Sequence, residues 1–268
     1  MKLIKALKYN IIQHWDNRKL IVRLAVADSK KQTVRTSLGI LWLYLRDMVY
    51  FVVYTLFRLF VAGSGKIEGM NAVLYVVLGL VPWLFINDIL NRGSTIIKSN
   101  KSIVKSISFP TMVLPTSGVV CIFIQKIFNY VVAIVITVIL GDWKSISIIG
   151  ILYYTLAMLV LMICINSIVS AFVAVSGDFQ QLYLAVTRVM IYTLPVIWSF
   201  SNIKNDIMVK VLKLNPMVYV VDGFRKSFTQ GFYMPLKYTA YFWCAVVGLM
   251  LISSYTQYKL SRFYSDLM

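Results

Sequence analysis

Six long apolar runs, separated by polar or basic segments, most strongly constrain what this chain can fold into. Each run is near or above the ~20 residues that an α-helix needs to cross the hydrocarbon core of a bilayer. Unpaired backbone groups are costly in lipid, so runs of this length predict helices. We predict six transmembrane spans, at residues 40–62, 72–90, 112–140, 146–175, 182–200 and 238–258.

The overall composition supports a membrane protein. Of the 268 residues, 59% are hydrophobic, whereas soluble domains are about 45–50% apolar. A globular fold of this size would leave much of that apolar surface in water, because burial is limited by the ratio of surface to volume. The fold class that follows is an all-α membrane protein.

Residues 1–39 precede the first span and carry nine Lys/Arg and two acids. Apolar residues recur near helical spacing between lysines, at Leu3, Ile4, Leu7, Ile11 and Ile12. This pattern predicts a basic amphipathic helix on the cytoplasmic membrane face. A solvated helix packed on the protein is the alternative. We therefore divide the chain into an interface segment, 1–39, and a transmembrane domain, 40–268.

The basic residues also indicate the orientation. With the N-terminus inside, segments 1–39, 91–110 and 259–268 place nine, four and two Lys/Arg in the cytoplasm, as the positive-inside rule requires. Both termini are then cytoplasmic. Segment 201–237 breaks this pattern with six Lys/Arg. Its amphipathic composition around a central Asn-Pro predicts two short re-entrant helices before the last span.

The formal net charge of +17 has a membrane explanation. A balance of 27 Lys/Arg against 10 Asp/Glu in a soluble chain would suggest nucleic acid. Here the basic residues cluster between apolar runs, where anionic lipid headgroups account for them. We expect membrane lipids as partners and no binding of nucleic acid.

The sequence offers no catalytic, cofactor-binding or metal-binding set. The single histidine, His14, is expected to be solvated or to face lipid headgroups. The acids are scattered singly, and the three cysteines have no metal-ligand spacing. The string GSGK at 63–66 fails the phosphate-loop pattern, because Phe60 and Ile67 occupy the positions that need Gly and Ser/Thr.

Charged and aromatic residues on the first span form a candidate substrate channel. Charges within a span are costly when they face lipid, and most of those here are basic, which suits an anionic substrate. Aromatic rings on one helical stripe could stack on sugars. Helix packing, an ion pair between helices and snorkelling to headgroups remain alternative interpretations. The channel candidates are Arg46, Asp47, Tyr50, Tyr54, Phe57 and Arg58.

Residues 79–115, GLVPWLFINDILNRGSTIIKSNKSIVKSISFPTMVLP, resemble the signature stretch of a transporter family. The family is that of type 2 ABC exporter permeases for O-antigen, capsule and teichoic acid polymers. TSLGILW (36–42), LPVIW (194–198) and LNPMVYVVDGFRKSF (214–228) agree with it as well. The chain departs from the family at 32–33, 46–47 and 177–178, where Arg-Tyr, a proline and Arg-Asp are frequent.

The resemblance implies a homodimer of permeases joined to two copies of a separate ATPase subunit. ATP and Mg²⁺ would bind to that ATPase, and this chain would hold no cofactor and would not be an enzyme. The polar segment 93–109 would form a short coupling helix that docks on the ATPase, with turn 176–181 as the lesser contact. The coupling candidates are Lys98, Asn100, Lys101, Ile103, Lys105, Ile107, Gly177 and Asp178.

The resemblance also implies the activity. The chain would export a lipid-linked polysaccharide or teichoic acid across the bacterial cytoplasmic membrane. An ABC exporter permease for small lipids or drugs is one alternative, and a membrane-embedded glycosyl or phosphoryl transferase is another. The lack of clustered acids for a metal–diphosphate site disfavours the transferase.

Overall fold

The computed structural model describes residues 2–33, 39, 41–63, 65–104, 109–141 and 143–261, and the regular structure in these residues is helical. The helices are α1 (Lys2–Asp16), α2 (Arg18–Thr33), α3 (Leu41–Ala62), α4 (Ala72–Asn91), α5 (Ile96–Ser99), α6 (Lys101–Val104), α7 (Leu114–Leu140), α8 (Ile148–Val175), α9 (Gly177–Thr193), α10 (Asp206–Lys213), α11 (Pro216–Thr229) and α12 (Leu236–Leu260).

Four helical segments of the described residues are long and apolar enough to cross a membrane: Ala72–Ser99, Thr111–Leu140, Ile148–Val175 and Leu236–Leu260. The prediction of an all-α, multi-pass membrane protein is therefore confirmed, and the count of six spans is not. Helix α3 has 22 residues but contains three charged side chains. Helix α9 has 17 residues, at the lower end of the roughly 17–25 that cross a bilayer.

Helix α4 is the central helix of the bundle. Of its 20 residues, 17 are buried, and α3, α7, α8, α9 and α11 all pack against it. Most of α4 is apolar, and its Asp88 is paired inside the bundle, so the helix can be buried on every side because no face has to meet water. Pro82 is tolerated within α4, as neighbouring helices and local adjustments re-satisfy freed backbone groups in membrane helices.

The N-terminal segment forms two helices where the sequence predicted one on the membrane face. The chain turns at Asn17, whose Nδ2 donates to the carbonyl of Gln13 (2.9 Å). Helix α2 then packs along α7 and buries Ile21 and Ala25. Most of the exposed apolar residues expected of an interface helix lie on α1, among them Trp15, whereas α2 exposes Val22 and Val26.

The fifth predicted span, 182–200, is displaced in the structure. Helix α9 begins at Gly177, because the Ser176 side chain caps it by accepting from the Phe179 amide (3.3 Å). The helix ends at Thr193, two residues before Pro195, which disfavours the helical conformation of the preceding residue. The helix therefore includes the segment that the sequence suggested was a polar turn.

Segment 201–237 contains the two predicted short helices, α10 and α11, while their depth in the membrane stays a prediction. Helix α10 has no buried residue, whereas α11 packs closely against α4 and α8. A Cβ added at Gly223 would lie 2.0 Å from the Tyr154 ring, so only glycine allows this approach. Arg225 donates to the carbonyls of Tyr75 (3.1 Å) and Pro195 (2.6 Å), which joins α11 to α4 and to the turn after α9.

Candidate functional site: a buried charge network and two predicted surfaces

Charged side chains of α3, α4 and α7 meet inside the bundle. Lys126 Nζ lies 2.8 Å from both carboxylate oxygens of Asp47 and 2.9 Å from Oδ2 of Asp88. All three residues are buried, with exposed fractions of 2%, 2% and 7%. A lysine in an apolar helix is satisfied here by two carboxylates, each from a different helix.

Two arginines extend this buried charge network to its edge. Arg46 Nη2 lies 2.7 Å from Asp88 Oδ2, and Arg92 Nη1 lies 3.3 Å from the same oxygen. Arg92 also donates to Gln125 Oε1 (3.1 Å) and to Gln32 of α2. Three cations and two carboxylates leave the network with an excess of one positive charge, which lies at its half-exposed arginine edge.

The network joins four helices through directional contacts. Asn129 completes it by donating to Asp47 Oδ2 (2.8 Å), while its own Oδ1 accepts no hydrogen bond within the described chain. A buried ion pair contributes modestly to stability when intact, but removal of one partner leaves a costly unpaired charge. The arrangement therefore fixes the first half of α3 against α4 and α7.

The six predicted channel residues do not share one environment. Asp47 is part of the network, and Arg46 lies at its edge. Tyr54 and Arg58 are half-buried, and Tyr50 and Phe57 are exposed. The stripe thus follows the border between the packed and exposed faces of α3. Its role in transport stays a prediction.

Two contacts involve the C-terminal part of this stripe, from Tyr50 to Arg58. The rings of Tyr50 and Tyr54 stack with centroids 6.2 Å apart. Arg58 donates to the Gly63 carbonyl (3.2 Å), at the end of the same helix. The apolar face beside these rings, which includes Val49 and Val53, is exposed. Lipid or another protein would have to cover it in a membrane.

The predicted coupling segment forms two four-residue helices, α5 and α6, that meet at Asn100. Asn100 is buried, and its Nδ2 donates to the Ile96 carbonyl (2.9 Å), so this residue shapes the segment from within. Ile97 and Val104 pack with Leu114 in a small core. The lysines of the segment, Lys98 and Lys101, are exposed. The side chain of Ile103, and the whole of Lys105 and Ile107, lie outside the described residues.

The two predicted coupling contacts are brought together. Lys98 Nζ lies 3.1 Å from Oε1 of Gln180, which is in the first turn of α9. Gly177 and Asp178 in the same turn are exposed. One exposed surface, which we call the coupling surface because both of its parts were predicted to contact the ATPase, therefore contains Lys98, Gly177 and Asp178.

Sequence reasoning missed the partners in these sites. Lys126 and Asp88 are visible as charges within apolar runs, but nothing in the sequence pairs them. His14, which was expected to be solvated or to face lipid headgroups, is half-buried: its Nε2 lies 2.7 Å from Thr116 Oγ1 and its Nδ1 lies 2.9 Å from the Asn10 carbonyl. Desolvation by burial lowers the pKa of His14, and this outweighs the backbone hydrogen bond.

The chain has clear relatives among known proteins. The family model described as "ABC-2 type transporter" matches residues 22–229. An O-antigen export system permease protein, RfbA, from Myxococcus xanthus is 23% identical over 212 residues, which cover 79% of this chain and 80% of that protein. The protein of the same name from Klebsiella pneumoniae is 22% identical over 253 residues, with 92% and 95% covered.

Proposed function

Because this chain belongs to the ABC-2 type transporter family, we propose that it is the membrane permease of a bacterial polysaccharide exporter. Its substrate is a lipid-linked polysaccharide or teichoic acid, which crosses the cytoplasmic membrane. The similarity to O-antigen export permeases over 95% of the length of a relative carries this proposal. An embedded transferase would need a cluster of metal ligands, and the described residues contain no group of three or more such side chains.

The proposed topology has six spans and places both termini in the cytoplasm. Helices α3 and α9 provide the two spans beyond the four that length and hydropathy identify. The end of the bundle with α1, α2, α5 and α6 is the cytoplasmic end, because segments 1–39 and 91–110 hold thirteen of the 27 Lys/Arg. Helices α10 and α11 are then re-entrant from the outer face.

The proposed assembly is a homodimer with two ATPase subunits, which bind ATP and Mg²⁺. Helices α3 and α9 both pack on α4 and leave broad apolar faces exposed, including Val53 and Val189. Contiguous apolar surface of this kind marks protein or lipid contact. We assign part of it to the second permease and the coupling surface to the ATPase.

The proposed substrate route follows the stripe on α3. Tyr50, Tyr54 and Phe57 offer aromatic faces for sugar rings, and each aromatic contact is worth about 0.5–1.5 kcal/mol. Contacts this weak allow a polymer to slide past. Arg58 and the arginine edge of the charge network supply positive charge where a phosphate passes.

Loss of this gene in its native bacterium tests the proposal. We expect the lipid-linked polymer to accumulate in the cytoplasm, because synthesis continues when export stops. The wild-type gene should restore surface polymer, and a Lys98→Glu/Asp178→Lys variant should restore less while still reaching the membrane. A mutant with normal surface polymer, or with altered export of drugs or small lipids only, would contradict the proposed substrate.

A further inference from the structure

A cavity of about 420 Å³ lies between α1, α8 and α12, and no residue of the charge network lines it. Its wall is mainly apolar and includes Ile11, Val160, Ile163 and Met250. Serine hydroxyls and one cysteine thiol are the few polar groups of its α8 and α12 walls. A volume and lining of this kind suit an apolar ligand with one polar end.

The cavity falls at the depth of one leaflet when the outer boundary of the hydrocarbon core is placed at the starts of α8 and α12. About 20 helical residues cross the hydrocarbon core. Counted from Ile148, the start of α8, this length ends near Ser167, and counted from Leu236, the start of α12, it ends near Tyr255. The wall residues Val160–Ser167 and Met250–Ser254 are thus the last two turns of each helix before the boundary on the side of α1.

Two exposed side chains of the N-terminal segment form the rim of the cavity. Trp15 is 69% exposed, and the Arg18 guanidinium carbon lies 5.0 Å from the centre of its ring. Arg18 Nη1 donates to the Trp15 carbonyl (2.9 Å), and its other N–H groups make no hydrogen bond to the described chain. Tryptophan at this level is typical of a membrane interface.

The charge at the rim is positive. Arg18 and its neighbour Lys19 outweigh Asp16, and Lys5 and Lys8 add charge along α1. His14 also lines the cavity, but burial lowers its pKa, which favours a neutral ring. A cation above an apolar cavity at headgroup level matches the two parts of an anionic lipid.

We propose that this cavity holds one acyl chain of an anionic membrane phospholipid, whose phosphate binds at Arg18. The lipid is a resident of the permease and not its cargo, since no stripe residue of α3 lines the cavity. Its acyl chain fills the space between α1 and the two spans, and its headgroup holds the α1–α2 corner at the membrane surface.

Lipid binding to the purified permease in nanodiscs tests the proposal directly, with phosphatidylglycerol and phosphatidylcholine as probes. We expect about one tightly retained phosphatidylglycerol per chain. Arg18→Gln should lower the preference for phosphatidylglycerol roughly fivefold, the factor expected for one basic residue at an anionic surface. Arg23→Gln removes the same charge from an exposed position on α2 and should leave the preference unchanged.

A second variant tests the cavity itself. Val160→Trp would fill it and should abolish retention of the lipid, whereas Val138→Trp, on an exposed part of α7, should retain it. Equal retention of the two lipids by the wild type, or full retention by Val160→Trp, would overturn the proposal. Displacement of phosphatidylglycerol by an equimolar polyprenyl phosphate would overturn it too, because the site would then belong to the carrier of the substrate. These results do not depend on whether a polysaccharide is exported.

Discussion

Replacement of Lys126 by methionine should destabilise the permease strongly. Methionine is similar in length, so the change removes the charge with little change in packing. Three contacts of 2.8–2.9 Å are lost. Asp88 keeps both arginines, but Asp47 keeps only the Asn129 amide (2.8 Å) and a weak contact with Arg46 (3.7 Å). Removal of one partner of a buried pair costs about 3–5 kcal/mol.

Two further variants separate this cause from others. In the Asp47→Asn/Lys126→Met variant, a neutral amide replaces the carboxylate that has lost its lysine, so most of the lost stability should return. Lys226→Met breaks a pair of the same length, with Asp222 one turn away on α11, whose side chains are 20% and 24% exposed. This pair is more exposed than the Lys126 pairs, so its loss, together with the contact of Lys226 with the Tyr233 ring (4.5 Å), should cost clearly less stability than Lys126→Met.

The assay is thermal unfolding in one detergent, followed by the reaction of a thiol dye. Cys121 is buried and reacts only as the bundle opens, whereas the exposed Cys244 and Cys164, whose thiol lines the cavity between α1, α8 and α12, are replaced by serine in every variant. If the Lys126→Met protein unfolds at the same temperature as the Lys226→Met protein, the charge network has no stabilising role. If the double variant unfolds at the same temperature as Lys126→Met, the unpaired carboxylate of Asp47 is not the cause of the lost stability.

Four further outcomes are expected. Gly223→Ala should lower stability by about 1–3 kcal/mol, because its Cβ would overlap the Tyr154 ring; Gly248→Ala, with nothing within 4 Å, should not. Tyr54→Ala should slow the appearance of polymer at the cell surface while assembly of the complex is kept. An unchanged rate would show that Tyr54 is not part of the substrate route on α3. Lys98→Glu should reduce co-purification of the ATPase, and wild-type recovery would place the contact elsewhere. The purified permease should hydrolyse no ATP above background, and turnover would contradict its assignment as a transport subunit.

Much of the helical layout could be predicted from the sequence. Helix α4 follows its apolar run within one residue at its end, because a span buried on every side has no polar face to obscure its limits. Helix α9 was misplaced, since its first turn is polar and a sequence pattern did not reveal the Ser176 cap. The two N-terminal helices were merged, because their basic residues hide the change of direction at Asn17.

The sites were less predictable, because they depend on contacts between distant parts of the chain. Lys126 and Asp47 are 79 positions apart, so their pairing is invisible to any local pattern. The first-span stripe was found from helical spacing, yet its members divide between packed and exposed positions. Asn100 shows the same limit. The resemblance of its segment suggested a residue that docks on the ATPase, but the side chain is buried between α5 and α6.

Transport by the reconstituted complex tests the central claim most directly. Proteoliposomes would contain this permease, its partner ATPase and a lipid-linked polysaccharide whose sugars are accessible to a glycosidase on one face only. The account predicts that ATP moves the polymer to the opposite face, that ADP does not, and that an ATPase defective in hydrolysis fails likewise. ATP-driven movement of phospholipids or drugs with the polymer left in place would contradict it.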